Sequence, residues 1–353
     1  MLIVRALPDD PGIPRGWARF AALLPHAEAV LPPWQVGLNH GAVYLAQSGN
    51  YQAARETARR LLTACTWRYG AYHPGTLTVR HNLAWFTGSA GNARAAKDMF
   101  AEFTQIQGRI NGHEHSETLI ARNELASQAG EAGDAARARD MFAELLPVSE
   151  RVLGCEHPST LTTRHNLAYW TGVAGDVIAA EGMLASLSPV RARVLGAGDP
   201  ETLTTAFVLA RFVGDAGDVV RAREMPTDLL PWRTRIQGPE HPETLITRHE
   251  LARFTGLAGD VVAAREMLAA LPIHERVAGP GHPATLITRH NLAQFTGLAG
   301  DAAGAREMFA QLLPVRERVQ GPEHPDTLAA RRGRDTWTEP PRALGAWTGP
   351  PLT

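Results

Sequence analysis

Apolar residues recur along this chain at helical spacing, in short stretches that come in pairs. The stretch HPATLITRHNLAQFTGLAGDAAGAREMFAQLLPVRERVQGPE, residues 282–323, shows the pattern. Leu286, Leu292, Ala293 and Phe295 fall on one side of a first helix, and Ala305, Met308, Phe309, Leu312 and Leu313 on one side of a second. Pro283 suits a first turn, where its missing N–H costs nothing, which makes His282 the cap. Gly297 and Gly300 are expected to end the first helix, and Asp301 to cap the second. Pro314 lies late in the second helix and is expected to kink or end it. Pro25, Pro147, Pro189, Pro231 and Pro272 fall at matching places.

The same paired block recurs down the chain. A His-Pro-x-Thr-Leu start, or a close variant, stands at His73, His115, His157, Asp199, His241, His282 and His324, at intervals of 42 residues with a single interval of 41. Such a period marks a stacked array, in which each unit hides its apolar face only against its neighbours. Two antiparallel helices per block predict an all-α solenoid, a right-handed superhelix with a concave inner face. Residues 31–72 form a diverged first block, and Trp17–Val30 mirrors a second helix. The array is expected over 16–332, about seven units with partial helices at both ends. Residues 1–15 form an N-terminal extension, and 333–353, rich in Pro and Gly, a flexible tail.

Composition narrows the function. Apolar content of 44% supports a real core, and a net charge of −1 leaves no field to draw a polyanion, so nucleic acid is not an expected partner. Cys65 and Cys155 are the only cysteines, too few for a disulfide framework or a Cys-based zinc site. The N-terminus lacks a signal-peptide pattern and no apolar run is long enough to span a membrane, so a cytoplasmic location is expected. No phosphate-cradling Gly loop, nucleophile elbow or zinc-protease helix motif is present, and no cofactor is expected.

The spacing Leu83, Ala84, Gly91, Ala96, Phe100 resembles the tetratricopeptide repeat. The 42-residue period with its Gly-x-x-His-Pro-x-Thr-Leu linkers is similar to the kinesin-light-chain type of that repeat. The Arg-His-Asn-Leu-Ala and Thr-Gly-x-Ala-Gly-Asp variants resemble the sensor arrays of actinobacterial STAND-type (NB-ARC) ATPases. The nucleotide-binding module of those proteins is missing from this sequence, and the one lysine, Lys97, lies in a helix.

By that resemblance, the inner face of each first helix carries a His and the residue four later. These pairs are His81 and Trp85, Asn123 and Ser127, His165 and Tyr169, Phe207 and Arg211, His249 and Arg253, His290 and Gln294, with Asn82, Asn166 and Asn291 beside them. One reading makes them a ladder of hydrogen-bond donors with a changing specificity row. The other makes the His and Asn side chains struts between neighbouring helices. One His per helix at helix-packing distance suits no metal site. The linker His residues recur in every block, as turn residues do and a catalytic residue does not. Arg80, Arg122, Arg164, Arg248 and Arg289 are expected to pair with Asp98, Asp140, Glu224, Glu266 or Glu307 on second helices. In the fourth block Pro226 is expected to break the second helix near Met225, leaving a hinge or pocket edged by Phe207, Arg211 and Trp232.

The expected function is a scaffold that binds a protein or peptide in the concave groove. Two alternatives stand beside it: a regulatory sensor arm working with a separate STAND-type ATPase or signalling protein, and an enzyme with an unrecognised site in the groove.

Overall fold

The computed structural model describes residues 17–337 apart from 33, 49 and 270. The expected extension (1–15) and the chain from 338 onward lie outside the described residues. Among the described residues all regular secondary structure is helical. The chain divides into two compact units, Met1–Met183 and Leu184–Thr353.

Unit 1 holds α1 (Trp17–Val30), α2 (Val36–Gln47), α3 (Tyr51–Tyr69), α4 (Pro74–Ser89), α5 (Ala93–Asn111), α6 (Ser116–Glu131), α7 (Ala135–Leu153) and α8 (Pro158–Val173). The unit boundary falls within α9 (Val177–Val194). Unit 2 continues with α10 (Pro200–Asp215), α11 (Val219–Ile236), α12 (Pro242–Leu257), α13 (Val261–Leu268), α14 (Leu271–Ala278), α15 (Pro283–Leu298), α16 (Ala302–Val319) and α17 (Pro325–Thr336). Within each unit successive helices pack on one another. The two helices of the diverged first block and the lone helix Trp17–Val30 form where the sequence register places them.

The linker His residues are helix caps. In unit 1 the Nδ1 atoms of His73, His115 and His157 accept from the backbone N–H of Gly75, Glu117 and Ser159 at 3.1, 3.3 and 3.2 Å. In unit 2 His241, His282 and His324 do the same for Glu243, Ala284 and Asp326, each at 3.2 Å. An accepting Nδ1 requires a neutral ring with its proton on Nε2. Asp199 fills the position once and takes two N–H groups, from Glu201 and Thr202. Between the helices of a block the chain turns through a glycine such as Gly133, whose φ of 101° suits no other residue.

Proline ends fewer of these helices than expected, and α14 starts with Pro272 in its first turn. Pro147, Pro231 and Pro314 lie inside unbroken helices, and α11 runs through Pro226 as well. Pro147, Pro231 and Pro314 are exposed, as are Ala143, Thr227 and Ala310 four residues earlier, so the carbonyl that each proline leaves unpaired faces water. The fourth block therefore has no break near Met225. The interruption lies in the fifth, between α13 and α14, in the block that is one residue short. Deleting a residue turns the rest of a helix by about 100°, and the break between α13 and α14 lets the following half return to register.

Gly297 likewise sits inside α15 rather than ending it. A Cβ there would collide with the Trp337 ring. The same notch recurs at Gly130 against Trp170, Gly214 against Phe254, and Gly256 against Phe295. Four first helices thus receive an aromatic ring from the next first helix, and the missing side chain is what lets the ring in, while Gly88 of α4 receives Gln128 instead. Trp337 follows Phe295 by one full period, so the array passes the expected boundary at 332. α17 continues through Gly333 to Thr336, and Trp337 is buried.

The ion pairs also connect differently. Arg80 meets Glu102 (2.9 Å), one turn beyond Asp98. Arg164 reaches back to Glu150 on the preceding second helix at 2.5 Å, Arg289 to Glu275, and Arg331 to Glu317 at 2.9 Å. Arg122 and Arg248 have Gly108 and Thr234 at the matching places. Asp140 is held instead by its neighbour Arg139.

Candidate peptide-binding face

The predicted site residues come out in two layers. The deeper one is the ladder of His and Asn. In unit 1 Asn82 donates to Asn39 Oδ1 at 3.1 Å, Asn166 donates to Asn123 Oδ1 at 2.9 Å, and Asn123 donates to Thr163 Oγ1 at 3.1 Å. These bonds join successive first helices. His81 is half-buried, with Phe100 and Phe103 edge-on to its ring, and His165 is buried. Beside this row, burial pushes the Glu124 carboxyl above its usual range, against the pull of His81.

Unit 2 carries the ladder further inside. His249 is buried, and its Nδ1 lies 3.1 Å from Thr288 Oγ1 and its Nε2 3.0 Å from Asn291 Nδ2. Thr288 already donates to the Ala284 carbonyl. The ring therefore donates from Nδ1 to Thr288, and the Asn291 amide closes off its Nε2. Asn291 and His290 are buried too. The His290 ring meets Phe309 edge-on, and burial, helped by the charge of Arg316, lowers its pKa to about 4. Asn82, Asn123, Asn166, Asn291 and His249 are thus struts between helices.

The outer layer is the residue four positions on. Trp85, Ser127 and Tyr169 in unit 1, and Arg211 and Gln294 in unit 2, all stay partly accessible. Trp85 leans on Phe86 and Tyr169 on Trp170, each aromatic pair with centroids close to 5 Å apart (5.4 and 5.0 Å). Two expected members of the site are closed. Phe207 is buried with the Arg233 guanidinium 5.3 Å from its ring. Arg253 is 7% exposed, paired with Glu250 at 2.8 Å and stacked on Phe254 at 4.2 Å. Near it, burial raises the Asp215 carboxyl while Arg253 and Arg211 pull it down. Trp232 is exposed on α11 with Arg235 over its ring.

Sequence reading missed three sets of partners. Asn39 lies one period before His81 and was visible in the register. Thr163 and Thr288 look like ordinary helix threonines and show no such signal. The third set is described in no motif: Arg191, Arg233 and Arg316, three fully buried arginines late in second helices of unit 2. Arg191 donates to the Glu201 carbonyl (2.8 Å) and Thr205 (2.9 Å), and Arg233 to the Glu243 carbonyl (2.9 Å). Each also pairs with the carboxylate of that glutamate. Arg316 pairs with Asp326 at 2.9 Å and donates to the Leu286 carbonyl. Burial lowers the pKa of Arg191 and Arg316, and the neighbouring carboxylates oppose it.

Among the described residues no three His, Cys, Asp or Glu side chains converge to hold a metal ion, and no helix is long and apolar enough to cross a membrane.

Paired helices, glycine notches and capped linkers repeated at one period define an all-helical repeat protein. Tetratricopeptide-repeat profiles match residues 36–109, 118–159, 244–284 and 285–326, together more than half of the sequence, and the chain belongs to that family. No curated protein matches it. A Podosopora anserina putative kinesin light chain with nearly identical TPR-like repeats is 28% identical, over 57% of this chain and 96% of its own, with a TM-score of 0.49. The Cut9–Hcn1 hetero-tetramer of APC/C matches over 92% of this chain and 54% of that one, at 14% identity and a TM-score of 0.60. A Rap protein complexed with Competence and Sporulation Factor matches over 90% and 79%, at 11% identity and 0.53. The last two likenesses are of fold. Proteins built from these repeats are generally protein-interaction scaffolds, and the fold is typically non-enzymatic.

Proposed function

We propose that the chain is a cytoplasmic scaffold that binds a protein or peptide along the first-helix faces, reading it through the partly accessible row above the ladder. The observation that carries this is the contrast between the layers. Below that row, Asn82, Asn123, Asn166, His249 and Asn291 are tied by hydrogen bonds between helices. The residue four positions on varies along the array (Trp85, Ser127, Tyr169, Arg211, Arg253, Gln294), and all of these but Arg253 keep solvent access. Aromatic and Arg side chains on a rigid base are what concentrates binding energy at interfaces. Two proteins of similar fold were solved as complexes, one with Competence and Sporulation Factor and one with Hcn1.

The test uses a photo-crosslinking amino acid at Ser127 to trap the partner, followed by affinity measurements with that partner purified. Trp85→Ala with Tyr169→Ala, and separately Arg211→Ala with Gln294→Ala, should weaken binding by about tenfold or more in at least one pair. Circular dichroism confirms that the variants fold. Unchanged affinity in both pairs rules the face out. Arg253 is left alone because its loss would strand buried Glu250. A nucleotide-binding ATPase as the trapped partner would assign the finer role of sensor arm.

A further inference from the structure

Unit 1 has a second surface that the first-helix reading does not use. Between α5 and α7, above α6, lies a cleft of about 360 Å³ whose rim carries Arg94, Lys97 and Arg137 and whose floor includes Leu125, Ala129 and Met141. Leu125 and Ala129 each stand two residues past Asn123 and Ser127. Two residues turn a helix by about 200°, so the cleft opens on the side of α6 away from the ladder.

Charge makes this cleft unusual. Among the described residues, Arg94, Lys97 and Arg137 have no carboxylate within ion-pair distance. The one acid on the rim, Asp134, spends an oxygen on the Arg137 backbone N–H (3.0 Å) as the cap of α7. A comparable cleft between α1 and α3, above α2, of about 450 Å³, settles its charges internally. There Arg60 pairs with Glu28 at 3.3 Å, and Glu56 with Arg59 at 3.1 Å.

The repeats show that two of the three cations, Arg94 and Arg137, are not part of the common scaffold. The position of Arg94 holds Gln52, Ala136, Ile178, Val220, Val262 and Ala303 elsewhere, and that of Arg137 is mostly Ala. Only the position of Lys97 is usually basic, with Arg55, Arg139, Arg223, Arg265 and Arg306. Folding does not require a cation at the places of Arg94 and Arg137, since most sister repeats fold without one. The cavity is at the small end of ligand sites, roughly 300–1,000 Å³, room for a pair of side chains and not for a folded domain.

We propose that the α5–α7 cleft docks an acidic peptide segment. Its carboxylates meet Arg94, Lys97 and Arg137, and an apolar side chain between them rests on Leu125, Ala129 and Met141. Cations over an apolar floor select against a bare anion, which leaves that floor uncovered, and against a neutral peptide, which leaves the cations uncompensated.

The probe is a fluorescein-labelled hexapeptide, Glu-Leu-Glu-Glu-Leu-Glu, with its Gln counterpart, read by fluorescence anisotropy at low salt on the full chain. The acidic peptide should bind about tenfold tighter than the Gln peptide, and added salt should erase the difference. Arg94→Gln with Lys97→Gln and Arg137→Ala should abolish the preference. Should that triple variant misfold, Arg94→Glu alone, at an exposed position, should reduce it. Trp85→Ala with Tyr169→Ala should leave it intact, which separates this site from the first-helix face. Equal binding of both peptides, undiminished binding by the cleft variants, or displacement of the peptide by millimolar inorganic phosphate would each overturn the proposal.

Discussion

The two units solve the same packing problem in different ways. Late in six of the second helices, three in each unit, one side chain is buried beneath the start of the next first helix. In unit 1 that side chain is Cys65, Gln107 or Ser149, small or neutral and closed off from water. In unit 2 it is Arg191, Arg233 or Arg316, each fully buried. Ten residues later stand Gly75, Glu117 and Ser159 in unit 1, but Glu201, Glu243 and Asp326 in unit 2. All three arginines have their acid, and two of the three neutral residues face Gly or Ser. The backbone therefore tolerates either a neutral joint or a charged one, provided that a buried arginine has its acid. A buried charge left without its partner costs far more than the pair contributes, so the linkage is one of necessity.

The largest test is to remove one end. Asp326→Ala leaves Arg316 buried and uncompensated and should cost about 3 kcal/mol in urea unfolding. Ser159→Ala, the matching change in unit 1, should stay within about 1 kcal/mol. Adding Arg316→Met to Asp326→Ala should recover most of the loss, and failure to recover it would show that Asp326 stabilises for another reason.

Titration sharpens the same contrast. Folded His290 is neutral with a pKa of about 4, against 6.5 for an ordinary imidazole, because it is buried beside Arg316. Its contribution to stability is whole above pH 6.5 and is lost as pH falls toward 4, about 3 kcal/mol in all. Burial lowers His241 and His282 as well, with the same sign. The carboxyls of Glu124 and Asp215 are raised by desolvation and act in the opposite sense, favouring the fold as pH falls. Comparing urea midpoints of the protein and of His290→Gln near pH 7 and near pH 4.5 isolates the imidazole. The variant should show the flatter dependence, and parallel curves would refute the assignment.

The glycine notch is common to both units and should respond alike. Gly130→Ala and Gly256→Ala each push a Cβ into an aromatic ring and should cost about 1–3 kcal/mol. A large difference between them would mean that one joint has more slack. Smallest of all, Arg164→Ala in unit 1 and Arg289→Ala in unit 2 should each cost no more than about 1 kcal/mol, less at high salt, since these pairs are partly exposed.

Much of the fold could be read from the periodicity. The helix pairs, the caps at His73 through His324 and the diverged first block all sit where the 42-residue register puts them. Proline misled because its local cost was counted without its exposure: Pro147, Pro231 and Pro314 face water, and their helices run on. The end of the array is less legible, because 333–353 as a stretch is rich in Pro and Gly, although Trp337 stands one period after Phe295. The candidate site was legible as a row of positions but not as layers. Whether His249 faces a ligand or Thr288 depends on a helix about forty residues away.

The sequence alone determined the unit and its repetition, because caps, turns and apolar spacing act within a few residues of one another. Only the tertiary structure decided which polar side chains were consumed between helices, which arginines were sealed with an acid, and which remained at the surface. Those outcomes depend on the desolvation of groups brought together by packing, and no local pattern records it.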